Sequence, residues 1–96
     1  MDEDSDTRVR TRIPVLAHGK VVVGHDAANC VVRDLSEVGA RLGLSAKIPL
    51  PKEFDLFLCA HDIRLRVRLQ WRRGEHLGVS FRATDKLRNL VRGRAG

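Results

Sequence analysis

The most regular pattern of hydrophobic and polar residues in the sequence lies between residues 63 and 72. Apolar and polar side chains alternate there without interruption: Ile63, Leu65, Val67, Leu69 and Trp71 against Arg64, Arg66, Arg68, Gln70 and Arg72. A period of two is typical of a β-strand with one face on a core and the other in water. The pattern therefore predicts an antiparallel strand whose last apolar residue, Trp71, faces the core.

Five further segments predict short strands, each bounded by residues that favour turns or loops. The strand segments are 13–23, with a bend at Gly19, then 29–33, 40–44, 54–58 and 77–81. The connections contain Gly24–Ala27, Asp34–Gly39, Pro49 and Pro51, Ala60–Asp62, and Gly74–Glu75. In the second connection we expect Gly39 to take a positive φ angle, which glycine adopts at little cost.

Only the end of the chain predicts a helix. Thr84 can cap its N-terminus, Leu87, Leu90 and Val91 share one face, and Gly93 can end it. Six strands and one short C-terminal α-helix predict an all-β fold, either an antiparallel barrel or a sandwich, because an open sheet would leave its edges uncovered. We expect one domain over residues 7–92, between an acidic flexible tail at 1–6 and a tail at 93–96.

Charge narrows the class of partner. The 96-residue chain has a formal charge of +6, yet four of its twelve acidic residues lie in the first six positions. The rest carries 18 basic against 8 acidic side chains, a formal charge of +10. This excess favours an anionic partner, which charge alone leaves open among nucleic acid, an acidic protein, a membrane surface and a phosphorylated small molecule.

Other classes of function find little support. No apolar run approaches the roughly 20 residues of a membrane span and the first residues are acidic, so we expect a cytoplasmic protein without membrane insertion. Cys30 and Cys59 lie in apolar runs and are predicted to be buried free thiols. We expect no catalytic residue, metal or cofactor, because no nucleophile and base pair up and the histidines lack metal-ligand spacing: His18, His25, His61 and His76.

Two short constellations could bind an anionic ligand. In an extended segment Arg8, Arg10 and Arg12 would share one side, and guanidinium groups bind phosphates and the acceptor edge of guanine. Taken alone, this cluster could equally be a solvated basic stretch. In the second constellation, Asp34 could accept from the N–H groups of guanine and Ser36 could offer its hydroxyl, although an ordinary strand connection also explains it.

Together the two constellations resemble the PilZ family. Its signature is RxxxR near the start of the domain, followed twenty to thirty residues later by [D/N]xSxxG. Arg8 and Arg12 match the first motif, and Asp34, Ser36 and Gly39 match the second. The strand-like run ending in Trp71, the later Gly78–Phe81 and the C-terminal helix also resemble the family, so the resemblance covers nearly residues 7–92. It implies the family's split barrel, an all-β, six-stranded antiparallel β-barrel with a short C-terminal α-helix.

The resemblance implies a receptor for cyclic di-GMP. Arg8 and Arg12 would then contact guanine bases and phosphates, while Asp34, Ser36 and Gly39 would line the surface beneath the ligand. The additional candidates are Arg10, on an unspecified position of the motif, and Thr7, where many members carry another arginine; the number of ligands bound stays open. Ligand binding would order the arginine segment and signal to a downstream protein in motility, biofilm or exopolysaccharide control.

Two alternatives remain. A basic β-barrel could bind RNA or DNA along Arg64, Arg66, Arg68 and Arg72, but the chain has no tyrosine, and its three phenylalanines and one tryptophan are predicted to lie in the core. A PilZ-like protein adaptor that binds no nucleotide is expected to lack one of the two motifs, and neither motif is lost here.

Overall fold

The computed structural model describes the backbone of residues 13–95 and the surroundings of the side chains of residues 17–92. Six strands are followed by one helix: β1 Ile13–Val23, β2 Asp26–Leu35, β3 Gly39–Gly43, β4 Glu53–Leu58, β5 Ile63–Arg73, β6 His76–Phe81 and α1 Asp85–Ala95. A short 3-10 turn, Cys59–His61, connects β4 to β5. The acidic segment 1–6 and the arginine segment, with Thr7, Arg8, Arg10 and Arg12, lie outside the described residues.

The strands form a closed antiparallel barrel in the order β1-β2-β3-β6-β5-β4. β1 pairs with β2 along its length and with β4 over Gly19 to Val22, which closes the barrel. Closure leaves neither edge of the sheet open to pair with another chain. The prediction of an all-β, six-stranded antiparallel barrel with a C-terminal helix is confirmed.

Tight hairpins set the register at one end. Val23 pairs with Asp26 and Arg73 with His76, so each connection has two residues. The first residue of each turn, Gly24 or Gly74, has a φ of 60°, as two-residue hairpins require. Because pairing begins directly after the first of these turns, β2 starts at Asp26 rather than at residue 29 as predicted.

Inward-facing apolar side chains from all six strands fill one core, and Phe54, Leu42, Leu56 and Leu77 are fully buried in it. Leu87 and Val91 of α1 are buried in the same core. Thr84 caps the helix as predicted, since its Oγ1 accepts from the N–H of Leu87 at 3.2 Å. The helix continues to Ala95, so the prediction that Gly93 ends it is wrong: glycine lowers helix propensity without stopping a helix.

Trp71 does not face the core. The register of β5 against β6 shifts between Leu69 and Trp71, which leaves Gln70 as an extra residue in a β-bulge. One extra residue moves every later side chain to the opposite face of the sheet. Trp71 is consequently 45% exposed on the outer surface, and the core position predicted from its alternation is wrong.

The helix of the described region is too short and too polar to cross a membrane.

Candidate ligand-binding site

The Asp–x–Ser–x–x–Gly segment forms a tight loop between β2 and β3. Ser36 is 2% exposed, and its hydroxyl donates to the carbonyl of Gly39 at 3.2 Å. The same oxygen accepts from the backbone N–H groups of Val38 at 3.3 Å and Gly39 at 3.1 Å. The Ser36 N–H donates to the Gly39 carbonyl at 2.9 Å. These hydrogen bonds show that Ser36 stabilises the conformation of the loop. Its contact with a ligand stays a prediction.

A glycine is required at position 39 because the backbone of β6 lies close to it, and not because of its φ angle. The positive φ expected for Gly39 is wrong, since the glycines of the described chain with such an angle are Gly24 and Gly74. A Cβ at position 39 would lie 2.8 Å from the carbonyl oxygen of Val79, on the adjacent strand β6. β6 also donates from the Phe81 N–H to the carbonyl of Val38 at 2.9 Å. The loop is thus held directly against β6.

Asp34 faces outward because of a second β-bulge. The pairing of β2 with β3 shifts between Val32 and Asp34, so Arg33 is an extra residue and Asp34 is turned away from the core. Asp34 pairs across the strands with Arg41, and its Oδ2 lies 2.5 Å from Nη2 of that guanidinium. A carboxylate has about four lone-pair positions, so Asp34 keeps capacity to accept further hydrogen bonds.

The two bulges bring four residues into one row across the outer face. Asp34 on β2 pairs with Arg41 on β3, Arg41 with Gly78 on β6, and Gly78 with Trp71 on β5. A Cβ added to Gly78 would overlap the indole of Trp71, so the ring lies over the backbone of β6. Three strand spacings separate the ends of the row, about 14 Å. It therefore presents a carboxylate, a guanidinium and an aromatic ring side by side.

An open pocket of about 230 Å³ lies between the loop and this row. Its walls include Ser36, Gly39, Arg41, Gln70, Trp71 and Ser80. A larger open pocket of about 400 Å³ involves His18, Asn29, Arg33 and His76 and contains no residue of the Asp–x–Ser–x–x–Gly motif. Of the two, the smaller pocket joins the motif loop to an exposed aromatic ring and is the better candidate site.

Comparison with known protein families decides the assignment. The model of the family described as PilZ domain matches residues 6–93, nearly the whole chain and both motifs. The chain belongs to the PilZ domain family. The PilZ family is in general a family of receptors for cyclic di-GMP rather than of catalysts. No curated protein matches the chain. The family membership predicted from the two motifs is confirmed.

In this PilZ domain the second motif is described and the first is not. Arg8 and Arg12, with the additional candidates Thr7 and Arg10, lie outside the described residues and stay predictions. The barrel nevertheless begins beside the loop, because Ile13 pairs with Leu35, which lies between Asp34 and Ser36 in the second motif. The first described residue after the RxxxR motif is therefore next to the Asp–x–Ser–x–x–Gly loop.

The arginine stripe on β5 of the PilZ barrel consists of the four candidates for a phosphate track: Arg64, Arg66, Arg68 and Arg72. Most of them contact other groups. Arg64 and Arg66 contact Asp55 at 2.8 and 3.3 Å, and their hydrogen bonds and charges, led by the bond from Arg64, lower the pKa of that carboxyl. Arg72 donates to the carbonyl oxygens of Ile48 and Ser45 at 2.6 and 2.8 Å. This leaves Arg68 as the one stripe arginine with no such partner within the described part of the chain.

Clusters able to bind a metal ion and reactive thiols are two further kinds of site to consider in the described part of the PilZ domain. Residues 13–95 contain no group of three or more histidine, cysteine or acidic side chains able to hold a metal ion. Cys30 and Cys59 are free thiols, although only Cys30 is fully buried. Burial, with a smaller contribution from Cys59, raises the pKa of the Cys30 thiol to about 12, so it stays protonated and unreactive at neutral pH.

Proposed function

We propose that this PilZ domain binds cyclic di-GMP in the pocket between the β2–β3 loop and Trp71. One observation carries the proposal: Ser36 and Gly39 of the second family motif line the same open pocket as the exposed ring of Trp71, and Asp34 lies next to this pocket through its pairing with Arg41. Asp34 suits the N–H edge of guanine, because an ionised carboxylate accepts two hydrogen bonds side by side. Trp71 offers a flat face on which a base can stack.

The arginine segment would supply the positive charge. Arg8 and Arg12 precede the point where the chain joins the barrel beside Leu35. A ligand with two phosphodiesters is anionic, so the segment would close over it and become ordered, and charge-assisted hydrogen bonds would offset the entropy cost. The ordered segment would change the surface that a downstream protein contacts, which is how the domain would signal in motility, biofilm or exopolysaccharide control.

The contacts of the arginine stripe on β5 weigh against the nucleic-acid alternative. A phosphate track needs free cations, yet Arg64 and Arg66 already pair with Asp55. The exposed Trp71 does provide an aromatic ring that the sequence pattern had assigned to the core. However, that ring lies over Gly78 and in the pocket of the motif loop rather than along the arginines.

Calorimetric titration with cyclic di-GMP, beside GTP and a short RNA, tests the proposal. We expect saturable binding of the cyclic dinucleotide, abolished by Arg12→Ala or Asp34→Ala without unfolding. Arg64→Ala is the control, because it also removes one positive charge but Arg64 does not line the pocket. This variant should bind cyclic di-GMP as the wild type does. Absence of cyclic di-GMP binding by folded wild-type protein would refute the proposal. Binding of the RNA with a steep salt dependence would instead support the nucleic-acid alternative.

A further inference from the structure

Arg41 lies outside both family motifs but inside the pocket. It is the one cationic side chain among the described residues that line the pocket. Its side chain is 50% exposed, and it lies between Asp34 on β2 and the Gly78–Trp71 pair on β6 and β5. Arg41 is therefore the positive charge of the outer row, with a guanine-binding candidate on each side.

The ion pair with Asp34 leaves much of the Arg41 guanidinium unused. The contact is made through Nη2, and a guanidinium carries five N–H donors in a planar fork. No second side-chain or backbone acceptor for these donors is found in the described part of the chain. The ion pair also holds in place the carboxylate of Asp34, whose side chain is 13% exposed.

We infer that Arg41 binds a phosphate of the nucleotide with the donors that Asp34 does not use. This rests on the proposed function and adds a ligand-binding residue to it. In a nucleotide, the phosphate is joined through the sugar to a base that has both an edge and a face. The order carboxylate, guanidinium, indole along the row matches a base edge at Asp34, a phosphate at Arg41 and a stacked base on Trp71.

A purely structural function for Arg41 makes a different prediction. If Arg41 only held Asp34, its loss would alter recognition of the base and leave the environment of the phosphates unchanged. If Arg41 contacts a phosphate, its loss changes the phosphorus resonance of the bound ligand. Phosphorus NMR of the complex therefore distinguishes a structural function of Arg41 from a direct contact with a phosphate.

Arg64 provides a matched control. Like Arg41, it is an exposed arginine on the outer face that pairs with an aspartate on a neighbouring strand, with 2.8 Å between Nη2 and Oδ2 of Asp55. It does not line the pocket. Arg41→Met and Arg64→Met thus remove the same charge and the same type of ion pair, one inside the pocket and one outside it.

The experiment measures the affinity of both variants for cyclic di-GMP by calorimetry and records the phosphorus spectrum of each complex. We expect Arg41→Met to weaken binding about tenfold or more, in keeping with loss of hydrogen bonds to a charged group, and Arg64→Met to change it less than about twofold. One phosphorus resonance should shift with Arg41→Met and stay in place with Arg64→Met.

A second variant guards against loss of folding. If Arg41→Met lowers the melting temperature markedly, Arg41→Lys keeps the charge and loses the planar fork, and it should still bind more weakly and shift the same resonance. Equal affinities and unshifted resonances in both Arg41 variants would overturn the inference while cyclic di-GMP binding by the wild type stands. Absence of binding by the wild type would refute the proposed function itself, and the assignment of Arg41 with it.

Discussion

Trp71 on β5 lies across Gly78 on β6, and its indole occupies the space that any side chain at position 78 would fill. The bulge at Gln70 turns the ring outward, and the missing side chain on β6 lets it lie flat on the barrel. Since this is the only tryptophan of the chain, its fluorescence reports on this position alone.

Gly78→Ala is expected to lift the indole from the barrel. The added methyl group overlaps the ring, so the ring must move into solvent and its emission maximum should shift to longer wavelength. Binding of cyclic di-GMP should weaken about tenfold, the lower end of the ~1–3 kcal/mol that a stacked base contributes. Fluorescence and calorimetric titration of the same sample measure both effects.

Gly43→Ala is the control for this variant. Gly43 also lies in a strand, and a Cβ there would meet the flexible end of Arg33, with Nε 3.3 Å away. The emission maximum of Gly43→Ala and its affinity for cyclic di-GMP should match those of the wild type. If Gly78→Ala also matched the wild type, the contact between Trp71 and Gly78 would have no part in binding.

Gly39→Ala should destabilise the barrel. Its Cβ would lie 2.8 Å from the Val79 carbonyl oxygen, and backbone cannot yield as a flexible side chain can. We expect a loss of about 1–3 kcal/mol in the free energy of unfolding, the usual cost of overpacking a close contact. Urea denaturation measures it, with Gly43→Ala again as the reference. A denaturation midpoint equal to that of Gly43→Ala would show that the strands can separate freely at this position.

The barrel follows directly from the sequence, whereas the outer row does not. Alternation and turn residues predict six strands, because both depend only on neighbouring positions in the chain. The closure of the strands into a barrel came from the resemblance to the PilZ family, since it depends on the distant pairing of β1 with β4. Asp34 and Trp71 face outward because each follows a bulge, and a bulge depends on pairing with another strand. Simple alternation therefore assigned Trp71 to the wrong face.

A signal for the bulge in β5 is nevertheless present in the sequence. Counting back from the two-residue turn at Gly74–Glu75 pairs Trp71 with Gly78, between the core residues Leu77 and Val79 and so on the outer face. The bulge in β2 shows only in the structure, where Val32 and Leu35 are both in the core although three positions apart. Pairing from the turn thus predicts the position of Trp71 better than the pattern of one strand does.

The motif loop is also joined to the C-terminal helix. Oε1 of Glu37 lies 3.5 Å from Nε of Arg88, and Oε2 of Glu37 lies 3.6 Å from Nε of Arg92. Glu37→Gln should lower the free energy of unfolding by about 0.5–1 kcal/mol, since these ion pairs are partly exposed. The amides of α1 should exchange faster with deuterium, because the helix loses its link to the loop.

Asp85→Asn is the matched control for Glu37→Gln. Asp85 pairs with the same Arg88 at 2.9 Å, but its side chain is 94% exposed and lies within α1. Loss of this ion pair should leave the rate of deuterium exchange unchanged in the rest of α1. Equal exchange rates in both variants would mean that the loop does not hold the helix.

Asp55 predicts how stability depends on pH. Hydrogen bonds from Arg64 and then Arg66 lower the pKa of Asp55 in the folded protein below its ordinary value of 3.8. A lowered folded pKa contributes stability that is fully present above the unfolded value and is lost as the pH falls through the folded one. Asp55→Asn should therefore be less stable than the wild type by a constant amount above about pH 5, and the difference should shrink below about pH 4.

Urea denaturation of the wild type and Asp55→Asn between pH 3 and 7 measures this difference. Asp26→Asn serves as the control, because Asp26 is exposed and has no salt-bridge partner in the described part of the chain. A pH dependence in Asp26→Asn as large as that in Asp55→Asn would show that the effect does not come from the ion pairs of Asp55. High salt should reduce the Asp55 effect, since part of it comes from exposed charges that ions screen. A difference that grows as the pH falls would have the wrong sign and would exclude this ion-pair cluster as its source.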